Sequence, residues 1–201
     1  MIAVLDYGIG NLRSAEKALQ HLGVAAALTT DPAIARQAAG VVLPGVGAFG
    51  PCMEQLRESG LEGVVHEAVE AGKPFLGICV GMQMLFDSSE EAPGCKGLGI
   101  FAGEVRRLRT TERLPHMGWN TLTIRQGSIL FDGLSDGSWL YFVHSYAPVP
   151  DDDAVVAATT DYGGPVVAAV ERDHVWATQF HPEKSAGNGL RLLQNFAAAC
   201  G

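Results

Sequence analysis

The stretch that most constrains the fold is Phe75-Leu76-Gly77-Ile78-Cys79-Val80-Gly81-Met82-Gln83. An apolar run from Pro74 to Ile78 leads into a cysteine with glycine two residues before it and two after it. Met82 to Phe86 continue in strong helix formers. The segment predicts a strand, a sharp turn and a helix, with Cys79 at the apex. A residue at such an apex sits in strained backbone, and bulky neighbours at its two flanks would clash. A thiol at a helix start also meets exposed N–H groups, which favour the thiolate. Read alone, the stretch is equally compatible with a buried structural cysteine after a core strand.

The rest of the first half follows the same alternation of strand and helix. Ile2 to Leu5 reads as a short buried strand running into Asp6-Tyr7-Gly8-Ile9-Gly10-Asn11. Leu12, Ala15, Ala18, Leu19 and Leu22 then follow helical spacing, and Gly23 closes that helix. The Gly-x-Gly start suggests a dinucleotide site, but Arg13 stands where the third glycine belongs, so a loop tip facing a partner is the better reading. Val24 to Leu28 predicts a second strand, Asp31-Pro32 a helix start, and Gly40 to Leu43 a third strand. That strand ends in Pro44-Gly45-Val46-Gly47-Ala48-Phe49-Gly50, a loop whose backbone is free to approach a ligand closely. Helices are expected over Pro51 to Ser59 and Leu61 to Ala71. Such alternation implies a mainly parallel sheet, with ligands at the carboxyl ends of its strands.

After Phe86 the pattern changes. Ser88 to Gly97 reads as a loop and Gly99 to Arg109 as a partly alternating strand. Trp119 to Ile124, Trp139 to Val143, Ala154 to Thr160, Val166 to Val170 and Val175 to Phe180 read as further strands. Tyr162-Gly163-Gly164-Pro165 and Glu171-Arg172-Asp173-His174 are expected hairpin turns. The second half thus adds a mostly antiparallel layer. Gly189 to Ala199 closes the chain as a helix, with Leu190, Leu193, Phe196 and Ala197 facing inward. With 201 residues, 47% of them hydrophobic, and no repeat or linker, the expectation is one α/β domain over residues 1–201.

Composition narrows the function classes. A net charge of −8 argues against a nucleic-acid-binding surface, and the short Arg106-Arg107-Leu108-Arg109 run suits a solvated strand face. No apolar run approaches the roughly 20 residues of a membrane span. The start Met1-Ile2-Ala3-Val4 has neither a basic region nor a cleavage site, so no signal peptide is expected. Cys52, Cys79, Cys95 and Cys200 form no C-x-x-C pair and no metal-type spacing. The expectation is a cytoplasmic chain with free thiols, no metal and no cofactor.

The predicted strand from Val175 leads into His181-Pro182-Glu183-Lys184. A cysteine nucleophile needs a base, and the base needs orienting. In an extended chain His181 and Glu183 project to the same side, and Pro182 stiffens the segment. A carboxylate on one imidazole nitrogen would fix the tautomer and leave the other nitrogen for the thiol. His21 and His66 on helices, His174 in a turn and His116 in a polar loop suit surface or packing roles; His144 ends a strand and could line the same site. Cys52, which also starts a helix after a strand, is the one rival to Cys79 but lacks its flanking glycines.

Gly77-Ile78-Cys79-Val80-Gly81-Met82-Gln83 and His181-Pro182-Glu183-Lys184-Ser185 closely resemble the class I (triad) glutamine amidotransferases. Tyr7-Gly8-Ile9-Gly10-Asn11, Leu43-Pro44-Gly45-Val46-Gly47-Ala48-Phe49, Met117-Gly118-Trp119-Asn120 and Tyr141-Phe142-Val143-His144-Ser145-Tyr146 narrow the resemblance. They are similar to the glutaminase subunits of imidazole glycerol phosphate synthase, of histidine biosynthesis. The resemblance implies a flavodoxin-like class I amidotransferase fold, with Cys79, His181 and Glu183 as the triad that hydrolyses glutamine through a thioester. It implies an oxyanion hole from Val80 and the Val46–Gly47 loop. It places glutamine on Gln83, Gly45, Ser145 and Tyr146. It also implies a (β/α)8-barrel cyclase partner that receives the ammonia, met at or near Asn11, Met117, Trp119, Asn120, Tyr141 and Lys184. The competing resemblance is to amidotransferase subunits of other pathways, such as anthranilate or aminodeoxychorismate synthase.

Overall fold

A computed structural model describes residues 1–9 and 12–201. The first half alternates as the sequence predicts. It runs β1 (Ile2–Leu5), α1 (Leu12–His21), β2 (Ala26–Thr29), α2 (Pro32–Gln37), β3 (Gly40–Gly45), α3 (Phe49–Glu58), α4 (Glu62–Glu70), β4 (Phe75–Cys79) and α5 (Val80–Met84). The start of α2 has a local cause. Asp31 caps α2 by accepting the Ala33 N–H at 2.7 Å, and Pro32 takes the first helical position, where its missing N–H costs nothing. Such a cap stabilises the helix by about 1 kcal/mol. Helix α1 buries Leu12, Ala15 and Leu19, which lie on one face.

The second half adds β5 (Ser88–Ser89), β6 (Gly103–Arg107), β7 (His116–Thr121), β8 (Thr123–Ile124), β9 (Trp139–His144), β10 (Tyr146–Pro150), β11 (Val156–Asp161), β12 (Pro165–Arg172), β13 (Val175–Thr178) and α6 (Ala186–Ala199). The main sheet has eight strands in the order β2-β1-β3-β4-β13-β12-β11-β8. From β2 to β13 the pairing is parallel, and beyond β13 it is antiparallel. Strands β1, β3, β4 and β13 are buried along their whole length, as expected of strands covered on both faces.

The antiparallel strands are therefore not one separate layer. Part of them extends the main sheet, and the rest form a three-stranded sheet (β10-β6-β5), in which β5 joins β6 in parallel, and an antiparallel two-stranded ribbon (β7-β9). The single strand expected over Trp119 to Ile124 splits into β7 and β8, which join different sheets. Leu122, between them, is buried. The predicted helix after the elbow stops at Met84. Leu192, not Leu190, is the buried leucine beside Leu193 and Phe196 on α6.

Topology is what creates the site. Although β13 comes late in the chain, it inserts beside β4, with Thr178 opposite Ile78 and β3 on the other flank of β4. Parallel strands end on a common edge, so the segments after β3, β4 and β13 converge there.

Candidate active site

Cys79 closes β4 and opens α5 with φ 55° and ψ −112°, a positive-φ conformation that a residue with a side chain rarely adopts. The flanking glycines follow from the close packing of this turn. A Cβ on Gly81 would collide with the Leu43 carbonyl oxygen of β3, and one on Gly77 would press on the Gly81 carbonyl oxygen at 3.0 Å. The turn thus needs glycine at position 81 and is tight at Gly77, whatever the thiol does. Cys79 is 4% exposed. Val80 is the first helical residue, so its N–H has no carbonyl within the helix to bond.

His181 follows β13 and is buried. Its Nδ1 lies 2.7 Å from Glu183 Oε1, and its Nε2 has no hydrogen-bond partner among the described residues. Burial pulls the imidazole pKa down, but the Cys79 sulfur and the Glu183 carboxylate outweigh it and raise it to about 10. The backbone of this loop is tied to the ribbon. The His181 N–H donates to the Tyr141 carbonyl at 2.9 Å, and the Tyr141 N–H donates to Ser185 Oγ, whose hydroxyl donates to the His181 carbonyl at 2.6 Å.

Cys79, Val80, Gln83, Val46, Gly47 and His181 line one cavity of about 500 Å³, together with Ser145, Tyr146 and Lys184. Gly45, expected to hold glutamine, is instead buried off this cavity at the end of β3, against the Val80–Gly81 backbone, and Glu183 reaches the cavity only through His181. Gly47 has φ 97°, so the loop bends there in a way glycine permits. Clefts of about 540 and 650 Å³ lie elsewhere, beside Arg106–Thr110 and around Ile124–Asp136, and neither brings a nucleophile to a base. Among the described residues no cluster of His, Cys, Asp and Glu fits a metal, and no helix is long and apolar enough to cross a membrane.

Cys52, the rival thiol, has a different environment. It is fully buried, donates to the Val46 carbonyl at 3.4 Å, and burial pushes its pKa up to about 11. The Tyr7 hydroxyl donates to the Pro44 carbonyl at 2.6 Å. Two side chains therefore grip the carbonyls on either side of Gly45.

The other interface candidates lie on the ribbon. Register pairs Met117 with Val143, Trp119 with Tyr141 and Thr121 with Trp139 on one face. Met117, Trp119 and Trp139 on that face are 61%, 48% and 55% exposed. Asn11 lies outside the described residues. His116, expected in a polar loop, instead starts β7 and is buried between the rings of Phe142 and Tyr162.

Sequence reasoning missed two residues at the site. Glu91 brings a carboxylate to the cavity, and that carboxylate also accepts the Phe49 N–H at 2.8 Å at the start of α3. It lies in a run read only as loop, and nothing local separates it from Glu90. Gln179 donates from Nε2 to the Cys79 sulfur at 3.7 Å. Its only signal is its position between a core strand and His181.

An elbow thiol, a carboxylate-oriented imidazole and a glycine loop on one cavity form the equipment of acyl transfer from an amide. The chain belongs to the glutamine amidotransferase class-I family, whose model matches residues 3–200. It is 50% identical over 203 residues to the imidazole glycerol phosphate synthase subunit HisH of Syntrophotalea carbinolica, covering 98% of each chain. It is likewise 50% identical over 194 residues to the HisH subunit of Aquifex aeolicus, covering 96% of this chain and 94% of that one. A crystal structure of a glutamine amidotransferase superposes with a TM-score of 0.76 at 25% identity, covering 100% of this chain and 98% of that one.

Proposed function

We propose that this chain is the glutaminase subunit of an imidazole glycerol phosphate synthase and hands ammonia to a (β/α)8-barrel cyclase. The observation that carries the chemistry is the His181–Glu183 pair at 2.7 Å, with Nε2 left free on the cavity that Cys79 lines. The choice of pathway is supported by the 50% identity to HisH subunits over nearly the whole chain.

His181 accepts the thiol proton, and the Cys79 sulfur attacks the side-chain amide carbon of glutamine. The tetrahedral oxygen takes N–H donors from Val80 and the Val46–Gly47 loop. His181 passes its proton to the nitrogen, the C–N bond breaks, and ammonia leaves a glutamyl thioester. Water then adds to the thioester, His181 taking its proton, and the C–S bond breaks to give glutamate and the free enzyme. Gln83, Ser145 and Tyr146 hold the glutamine, and the Glu91 carboxylate suits its α-ammonium.

The exposed face of β7 and β9, with Lys184 nearby, is the docking surface for the cyclase. Exposed aromatic and methionine side chains of this kind are typical interface anchors. Docking there bears on catalysis directly, because Tyr141 on that ribbon holds the His181 backbone. A cytoplasmic setting for the reaction is part of this proposal.

The test is glutamate release from glutamine by the chain alone, then with the cyclase and its ligand added. The coupled-subunit reading expects strong stimulation; fast hydrolysis unchanged by the cyclase would sink it. Cys79→Ala should lower glutamine-dependent turnover by roughly 10,000-fold or more, while the complex still uses added ammonia. Loss of that activity in Cys52→Ala, and not in Cys79→Ala, would reassign the nucleophile.

A further inference from the structure

We propose that Gln179 is a positioning residue for the Cys79 sulfur, and that a forced chain of hydrogen bonds keeps its N–H pointed at that sulfur. The inference rests on Cys79 being the nucleophile. Gln179 is fully buried and is absent from the cavity wall, so it lies behind the sulfur and does not meet substrate.

The direction of the chain follows from the groups at its anchor. The Tyr146 carbonyl only accepts, so Gln83, 3.0 Å away, must turn its NH2 toward it. The same Gln83 nitrogen faces Gln179 Oε1 at 3.0 Å and gives its second hydrogen there. With its oxygen committed to Gln83, Gln179 has only its NH2 left for Cys79. Gln83 in turn keeps its own Oε1 free for the cavity.

The far side of the carbonyl is equally constrained. His144 Nδ1 lies 2.9 Å from the Tyr146 carbonyl and must be the protonated nitrogen. Its Nε2 is then an acceptor for His116 Nδ1 at 3.0 Å, and His116 Nε2 accepts from Asn120 Nδ2 at 3.2 Å. This assignment requires both imidazoles to be neutral, and burial pushes both pKa values down to about 4. The Tyr146 carbonyl thus receives two donors and has no lone pair to spare. A flip of either amide would set two like groups against each other in a buried site. The relay runs from Asn120, on the ribbon, to the sulfur.

A donor fixed behind the sulfur favours the thiolate over the thiol and aims it at the cavity. The other ionisable groups around Cys79 are His181 with Glu183 behind it, Tyr7, Cys52, and Glu91, His144, Tyr146 and Lys184 on the cavity wall. All are kept in the variants below.

The experiment measures the rate of iodoacetamide alkylation against pH, read at the Cys79 peptide by mass spectrometry. It compares the parent chain, Gln179→Leu and Gln179→Glu. Gln179→Leu removes the donor and should move the acid midpoint of the profile up by about one pH unit, the shift given by one charge-assisted hydrogen bond. Gln179→Glu still accepts from Gln83, so the neighbouring amide is kept, but it sets an oxygen against the sulfur; a larger upward shift is expected. A purely structural role would lower the melting temperature and leave the midpoint in place. Unchanged midpoints in the folded variants overturn the proposal; if Gln179→Leu does not fold, Gln179→Glu alone decides. Cys79→Ala is assayed for glutaminase in parallel. Retained activity there defeats the nucleophile reading, whereas an inactive Cys79→Ala with unmoved midpoints defeats only the role of Gln179.

Discussion

Two regions of this molecule bury histidines and treat them in opposite ways. At the centre of the sheet, His181 is raised to about 10; in the ribbon, His116 and His144 are pushed down to about 4. All three are almost wholly inaccessible, so burial does not separate them. The difference lies in the partners. His181 has a carboxylate on one nitrogen and a sulfur near the other, and charge stabilises its cation. The ribbon pair has only a carbonyl, an amide and each other, so desolvation prevails and both stay neutral. One region holds an imidazole that favours its cation and the other a set of fixed donors and acceptors.

The strongest way to break this contrast is to make the central histidine resemble those of the ribbon. Glu183→Gln keeps the shape and removes the charge. We expect kcat for glutamine hydrolysis to fall by roughly 100- to 10,000-fold, in the range seen when the orienting carboxylate of a triad is neutralised. A fall of less than threefold would mean that the carboxylate does not govern His181.

The ribbon is tested through its outer face. Trp119→Ala should weaken binding to the cyclase by roughly thirty-fold, about 2 kcal/mol, as truncation of an interface anchor does. Titration calorimetry with the purified cyclase measures it, and undiminished affinity would remove Trp119 from the interface.

The subtlest test is the pH dependence of stability. His181 has a folded pKa above its ordinary 6.5, so it stabilises the fold fully below that pH and progressively less as pH rises toward about 10. His116 and His144 have folded values below 6.5, so their contribution is present above it and fades as pH falls toward about 4. Melting temperatures measured across this range should fall on both sides. Glu183→Gln should flatten the alkaline limb and leave the acid one, and a variant that flattens both would show that the two regions titrate together.

What was legible in the sequence was what local spacing controls. Glycines two residues either side of Cys79 and a carboxylate two residues after His181 are contacts within one turn or one short segment. They survive without knowing where the strands pair. Strand β10 was hidden because Pro148 and Pro150 argue against a strand; both are tolerated because β10 is an edge strand paired only with β6. Gln179 and the His116–His144 pair were illegible for a different reason. Their meaning depends on β13 lying beside β4 and β7 beside β9, neighbours far apart in sequence. His116 in particular follows the Thr110–Pro115 stretch, whose composition is that of a loop, and its burial comes from Phe142 and Tyr162.

The insertion of β13 beside β4 also sets a timetable. Gln179 and Cys79 are separated by 100 positions along the chain. During synthesis the elbow leaves the ribosome long before the strand that brings Gln179 and His181 to it. Until then β4 presents an open edge at the middle of the future sheet, and its thiol has no imidazole beside it. Contacts of this sequence separation form late in folding. On the proposed mechanism the nascent chain is chemically silent toward glutamine, and it becomes an enzyme only when one of its last strands closes the gap.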